Sequence, residues 1–185
     1  MDDIAHDVGM GKASLYYYFR TKESLFRAVI LQERVGFVEQ MNATLSSGGT
    51  ATAKLHEYVE RRFEYFNKLL NLNILDLHPS VKTKPAFFNM FEEFANEELK
   101  FLNRIITEGK AGGEFEVQSV EKTAETILHI MRGLRLRFIR SVKSVKGPRI
   151  EESDFKQLKE ELCLATQIVL FGIRRRPQTL LRKRK

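Results

Sequence analysis

Apolar residues recur along this chain at the three- and four-residue spacing of amphipathic helices, and glycine, proline or small polar residues mark the breaks between runs. Ile4, Ala5 and Val8 form a short apolar face, Gly9 follows, and Leu15 and Phe19 restart the face. This predicts two short helices over 1–9 and 12–20, hinged at the residue best able to take a left-handed turn. Thr21-Lys22-Glu23-Ser24 offers a threonine N-cap for a long third helix, whose stripe of Leu25, Phe26, Val29, Ile30, Phe37, Val38, Met41 and Leu45 ends at Ser46-Ser47-Gly48-Gly49-Thr50. Leu55, Val59, Phe66, Leu69, Leu70 and Leu77 predict a helix from Ala53 to Leu77, stopped at His78-Pro79.

Three more helices follow by the same reading. Phe87, Phe88, Phe91, Phe94, Phe101, Leu102 and Ile105 make an aromatic face from Pro85 to Gly109, ended by Gly109, Gly112 and Gly113. Ala124, Ile127, Leu128, Met131, Leu134, Phe138 and Val142 predict a helix over 120–145, broken by Lys146-Gly147-Pro148. Ser153 or Asp154 then caps a last helix reaching Ile173. The fold class is all-α, with a helix-turn-helix and its connecting helix over 1–46, a larger helical domain over 50–173, and a tail over 174–185.

The last helix is apolar on two sides. Phe155, Leu158, Leu162, Ala165, Val169 and Ile173 lie on one face, with Leu164, Ile168 and Phe171 roughly opposite. One face serves the chain's own core, and the other predicts a second subunit packed through the last two helices, the alternative being a helix buried among its own neighbours.

Composition changes this picture little. Four prolines in 185 residues agree with an α-rich chain. The net charge of +7 lies in the tail, where Arg174, Arg175, Arg176, Arg182, Lys183, Arg184 and Lys185 meet no acid, leaving 24 basic and 24 acidic side chains before it. No apolar run approaches the ~20 residues of a membrane span, and Met1-Asp2-Asp3 lacks the basic start of a signal peptide, so the expectation is a cytoplasmic protein with no membrane partner. The single cysteine, Cys163, lies between leucines and reads as a buried thiol.

The run Ile4-Ala5-x-x-x-Gly9-x-x-x-x-x-Leu15-Tyr16-x-Tyr18-Phe19-x-x-Lys22-Glu23-x-Leu25 resembles the helix-turn-helix of the TetR-type (tetracycline-repressor-like) transcriptional regulators. Glu108-Gly109-x-x-x-Gly113-Glu114-Phe115 is similar to a helix end and turn in that family's ligand domain. The resemblance implies a regulator, commonly a repressor, that binds a palindromic double-stranded DNA operator as a homodimer and is released by a small apolar or amphipathic effector. Carried over by position, Lys12, Ala13, Ser14, Tyr16, Tyr17 and Tyr18 face the major groove or its walls, Leu15 and Phe19 turn inward, and Lys22 holds the DNA backbone. Lysine and hydroxyl donors suit phosphates and base edges, and an alanine methyl suits thymine. The family pattern also has a helix before Ile4 and a threonine before the second helix, neither of which is in this sequence. The expectation is therefore an N-terminally incomplete DNA-binding domain, and the alternative reading is a dimeric helical ligand-binding protein that does not bind DNA in this form.

Polar residues inside the apolar stripes are the candidate effector contacts. Arg62 and Asn73 fall amid Leu55, Val59, Phe66, Leu69 and Leu77, Glu98 between Phe91, Phe94, Phe101 and Ile105, and Arg135 among Leu128, Met131, Ile139 and Val142. Charges taken out of water need partners, so these groups pair with each other, with a ligand or across a dimer, or else sit at an exposed rim. The expectation is that Arg62, Asn73, Glu98 and Arg135 include groups that orient a ligand beside Phe66, Phe91, Phe94 and Met131. Glu98 favours a cationic ligand and the arginines an anionic one, which leaves its sign open. His6, His56, His78 and His129 are scattered, and no Gly-rich phosphate loop appears. Neither an enzyme, a metal nor a cofactor is expected.

Overall fold

A computed structural model of the chain describes residues 1–71, 85–145 and 151–175. Among them are seven helices and no strand: α1 (Asp2–Asp7), α2 (Lys12–Tyr18), α3 (Lys22–Ser46), α4 (Ala51–Asn71), α5 (Pro85–Ala111), α6 (Val120–Val145) and α7 (Glu152–Ile173). The all-α class is thus the observed one, and α6 has the bounds expected of it. The expected continuation of α4 to Leu77, the Pro79 stop, the Pro148 break and the tail beyond Arg175 lie outside the described residues, as do the side chains over 70–91 and 142–150.

The first two helices are shorter than expected because their ends are specified locally. Gly9 takes φ 66°, the Met10 N–H donates to the Ala5 carbonyl at 2.8 Å, and the Gly9 N–H donates to the His6 carbonyl at 3.1 Å. This pair of bonds is a Schellman ending, which fixes the last residue of α1 at Asp7. Helix α3 opens on a reciprocal cap, in which the Ser24 N–H donates to Thr21 Oγ1 at 3.1 Å and the Thr21 N–H to Ser24 Oγ at 3.2 Å.

The chain divides into two compact units, 1–41 with 61–97 and 42–60 with 98–185. In the first, Ala5 of α1 and Leu15 of α2 are buried, and Ile30, Phe37, Tyr65, Phe66 and Phe94 form the larger apolar group. In the second, Leu55, Tyr58, Leu102, Ile105, Ile127, Leu128 and Leu158 are among the buried side chains.

The segment from Glu108 to Phe115 shows why its residue types are needed. A second Schellman ending has Gly113 at φ 74°, with the Glu114 N–H donating to the Gly109 carbonyl at 2.8 Å and the Gly113 N–H to the Lys110 carbonyl at 3.2 Å. A Cβ on Gly109 would lie 2.2 Å from the Phe115 ring, so only glycine lets that buried ring close on the helix. Glu114 then caps α4: Oε1 accepts the Ala51 N–H at 2.7 Å and Oε2 the Thr52 N–H at 3.1 Å. Burial pushes the Glu114 carboxyl up, but the Ala51 and Thr52 bonds, with Arg174 nearby, outweigh it and hold the group below its ordinary 4.5. A carboxylate whose folded pKa is depressed adds stability above the ordinary value and loses it as pH falls through the folded value. Glu114→Gln is expected to lower stability at pH 7 by about 1 kcal/mol, roughly 2–4 °C in Tm. The difference from wild type should shrink as pH falls below 4.5. Calorimetry of both proteins between pH 7 and pH 3.5 checks this.

Helix α7 departs from expectation at its start and in its register. Glu151 is the N-cap and Asp154 the third helical residue, whose Oδ2 accepts the Glu151 N–H at 3.0 Å. The helix therefore begins two to three residues before a Ser153 or Asp154 cap would place it. Its buried stripe is Leu158, Leu162, Thr166 and Leu170, whereas Phe155, Ala165, Val169 and Ile173 are half-buried. Thr166 enters the core because its hydroxyl donates to the Leu162 carbonyl at 2.7 Å, leaving only its methyl to pack. Phe155 stacks at 5.9 Å on Phe138 of α6. The opposite face stands in the open: Leu164, Ile168 and Phe171 are 57%, 63% and 75% exposed.

Candidate DNA interface and effector site

Helix α2 buries one side chain, Leu15, and presents the others. Gly11 is its extended N-cap residue and Phe19 its extended C-cap residue, so the helix is isolated between two sharp changes of direction. Lys12, Ala13, Ser14, Tyr16, Tyr17 and Tyr18 are all exposed, with Tyr17 at 82%. The Tyr17 and Tyr18 rings meet edge to face at 5.2 Å, so two aromatic groups sit side by side in water. Leu15 is buried and Phe19 half-buried. Lys22, the first residue of α3, is exposed, and its ammonium lies 5.5 Å from the centre of the Phe26 ring.

Sequence reasoning missed the partner of Lys12. Its Nζ lies 2.8 Å from Asp2 Oδ2, and both side chains are well exposed. The hydrogen bond from Lys12 lowers the Asp2 carboxyl and raises the Lys12 ammonium, so both stay charged across neutral pH. The exposed pair is screened by water and leaves Lys12 able to exchange Asp2 for another anion. The acidic start of a helix ten residues earlier is the signal that would have found it.

The expected effector residues fall into both units. In the first, Arg62 is buried, with its guanidinium carbon 4.8 Å from the Phe94 ring centre and 5.3 Å from that of Tyr65. Phe37, Tyr65 and Phe94 form a three-ring cluster with centroids 5.0–5.5 Å apart, and Phe66 is buried on the same helix as Arg62. A guanidinium between aromatic faces is a cation–π arrangement, which lowers the cost of removing the charge from water. In the second unit, Glu98 is 1% exposed and accepts the Tyr58 hydroxyl at 2.9 Å. Arg135 is also buried, and its Nε donates to the carbonyl of buried Met131 at 3.3 Å. Asn73 and the side chain of Phe91 lie outside the described residues.

Several neighbours of these groups were not singled out from sequence. Tyr58, Arg62 and Tyr65 share one face of α4 at i, i+4 and i+7, a pattern that could have flagged both tyrosines. Buried Lys54, one turn earlier, donates to Glu108 Oε2 at 2.7 Å and to the Leu45 carbonyl at 3.0 Å. Near the exposed face of α7, a groove of about 560 Å³ is lined by Ser119, Lys122, Thr126 and Ile127 on one side and Ile168, Gly172 and Ile173 on the other. Among the described residues, no group of three or more His, Cys, Asp or Glu side chains is placed to hold a metal ion. No described helix is long and apolar enough to cross a membrane.

Known proteins share both the fold and the sequence pattern. Residues 1–29 match the family model for bacterial regulatory proteins of the tetR family, and residues 34–172 match that for the C-terminal region of QacR-like proteins. The crystal structure of a transcriptional regulator from Cytophaga hutchinsonii ATCC 33406 is 39% identical, with a TM-score of 0.82 over 95% of this chain and 88% of that one. A TetR family transcriptional regulator, PfmR from Thermus thermophilus, shares the fold at 18% identity, with a TM-score of 0.61 over 94% of this chain and 88% of its own. The fatty acid metabolism regulator protein of Bacillus subtilis (strain 168) is 25% identical over 113 residues, 61% of this chain. That match spans only 58% of the Bacillus protein.

Proposed function

The chain belongs to the tetR family of bacterial regulatory proteins, and from that premise we propose that it is a dimeric repressor that binds a palindromic operator through α2 and is released by an amphipathic effector. It is a transcriptional regulator, and its relatives are regulators and not enzymes. The observation that carries the finer reading is the exposure of every α2 side chain except Leu15. A helix that packs through one residue and offers lysine, serine and three tyrosines to water is built to meet a polar surface. In that role Lys12 donates to a phosphate or to guanine, Ala13 packs on a thymine methyl, and Ser14, Tyr16, Tyr17 and Tyr18 bond phosphates or base edges. Lys22 holds the backbone from the start of α3.

The effector reading rests on Arg62, Phe66, Phe94, Glu98, Met131 and Arg135, with Asn73 and Phe91 kept from the sequence pattern. Charged groups held in apolar surroundings suit a molecule with an apolar body and one polar end. The relative named a fatty acid metabolism regulator favours the same chemistry. For the dimer, the open face of Leu164, Ile168 and Phe171 is the surface to be covered, and two copies present it with two-fold symmetry.

The test is to incubate the protein with a pool of random DNA duplexes in about 0.1 M salt and recover what it retains. Sequence-selective retention that weakens steeply as salt rises is the expected result. Retention of no duplex would end the reading.

A further inference from the structure

Arg34 lies on α3, one turn before Phe37, and its side chain is only 16% exposed. Its Nε donates to Glu97 Oε2 at 2.9 Å and its Nη2 to Glu97 Oε1 at 2.7 Å, a two-bond fork, while Nη1 reaches Glu93 Oε2 at 3.3 Å. Both acids are on α5 and flank Phe94, the residue whose ring lies against Arg62 and 5.3 Å from Phe37. One turn of α5 thus faces the Arg62 cluster with its aromatic side chain and grips α3 with its carboxylates.

We propose that Arg34 is a positioning residue for DNA binding, whose fork onto Glu97 and Glu93 fixes α3, and with it the α2 that directly precedes it, to the turn of α5 that carries Phe94. The inference deepens the reading above and rests on it. An arginine–carboxylate fork needs both bonds in one plane, so it holds rotation and sliding at once. A slide of ~1.5 Å, the rise of one helical residue, spoils that alignment. A lysine at the same place keeps the charge as a point donor and loses the fork. Apolar contacts such as Phe37 with Phe94 tolerate small slips, so the directional restraint comes from Arg34.

Arg34→Lys separates positioning from charge. The probe is the duplex that the wild-type protein enriches from a random pool, with affinity read by fluorescence anisotropy, and hydrogen exchange is followed over residues 32–41. The expected result is a Tm within a few degrees of wild type, affinity about tenfold weaker, and exchange over 32–41 at least threefold faster. Glu114→Gln, which loosens a cap in the other compact unit, is expected to leave affinity unchanged despite its lower Tm. The exchanged pair Arg34→Glu with Glu97→Arg, combined with Glu93→Gln to remove the carboxylate that would face the new acid, rebuilds a fork between the two helices and is expected to recover affinity to within about threefold of wild type. Arg34→Lys binding the duplex as tightly as wild type overturns the inference, whether or not exchange changes. A wild-type protein that retains no duplex overturns the underlying reading and this inference with it, a result distinguishable from equal binding by both proteins.

Discussion

Replacing Lys12 and Tyr17 together by alanine is expected to weaken binding to the selected duplex about 100-fold while leaving fold and oligomeric state unchanged. Two contacts to phosphates or base edges lost per chain, each at the low end of roughly 1–3 kcal/mol, give at least this magnitude. The fold is spared because neither residue supports the core: Tyr17 stands in water, and Lys12 pairs with exposed Asp2. A pair this exposed contributes little to stability. The salt dependence sharpens the prediction. Loss of one phosphate-binding lysine per chain should flatten the slope of log affinity against log salt by roughly one unit per chain. Anisotropy titrations at several salt concentrations read both effects, and equal affinity and slope for the two proteins would remove α2 from the interface.

The second large effect concerns α7. Replacing Ile168 and Phe171 by glutamate is expected to convert a dimer into a monomer and to weaken duplex binding by about 1000-fold. In the single chain these side chains are largely open to water, so changing them leaves the Leu158, Leu162, Thr166 and Leu170 stripe intact. In a dimer each large apolar side chain taken from water stabilises by roughly 1.5–3 kcal/mol, and a carboxylate put there opposes association. A monomer reads one half-site and loses the gain from holding two at once. Sedimentation velocity at about 10 µM distinguishes the species. Wild type should sediment at twice the chain mass of 21.5 kDa and the variant at the chain mass. A wild-type monomer would contradict the role given to this face.

Features specified by neighbours in the chain were readable from sequence. Gly9 and Gly113 announce their helix ends because a left-handed residue is needed there, and Thr21 announces the start of α3 because its hydroxyl caps a nearby amide. Features whose partners are distant in sequence were not. Arg34 meets Glu93 and Glu97 across 59 and 63 residues, Lys54 meets Glu108 across 54, and Tyr58 meets Glu98 across 40. No local spacing marks such pairs. Thr166 is absent from the apolar face read from sequence for a different reason: it counts as polar in a hydropathy pattern, but a bond to its own helix leaves it free to be buried. Arg62, Glu98 and Arg135 stood out as charges inside apolar stripes, and Phe94 as part of an aromatic face, while Tyr65, the other ring against Arg62, did not, since a tyrosine reads as surface or core with equal ease. The compact units also divide α3, α4 and α5 partway along their length, which a boundary placed at the small-residue loop after Ser46 does not anticipate.

That two copies of α2 read DNA together is tested most directly by the symmetry of the retained duplexes. Sequencing the pool enriched by wild-type protein should give two inverted half-sites whose centres lie about one helical turn apart or a multiple of it. A retained pool with no two-fold symmetry, or one as diverse as the starting library, would contradict it.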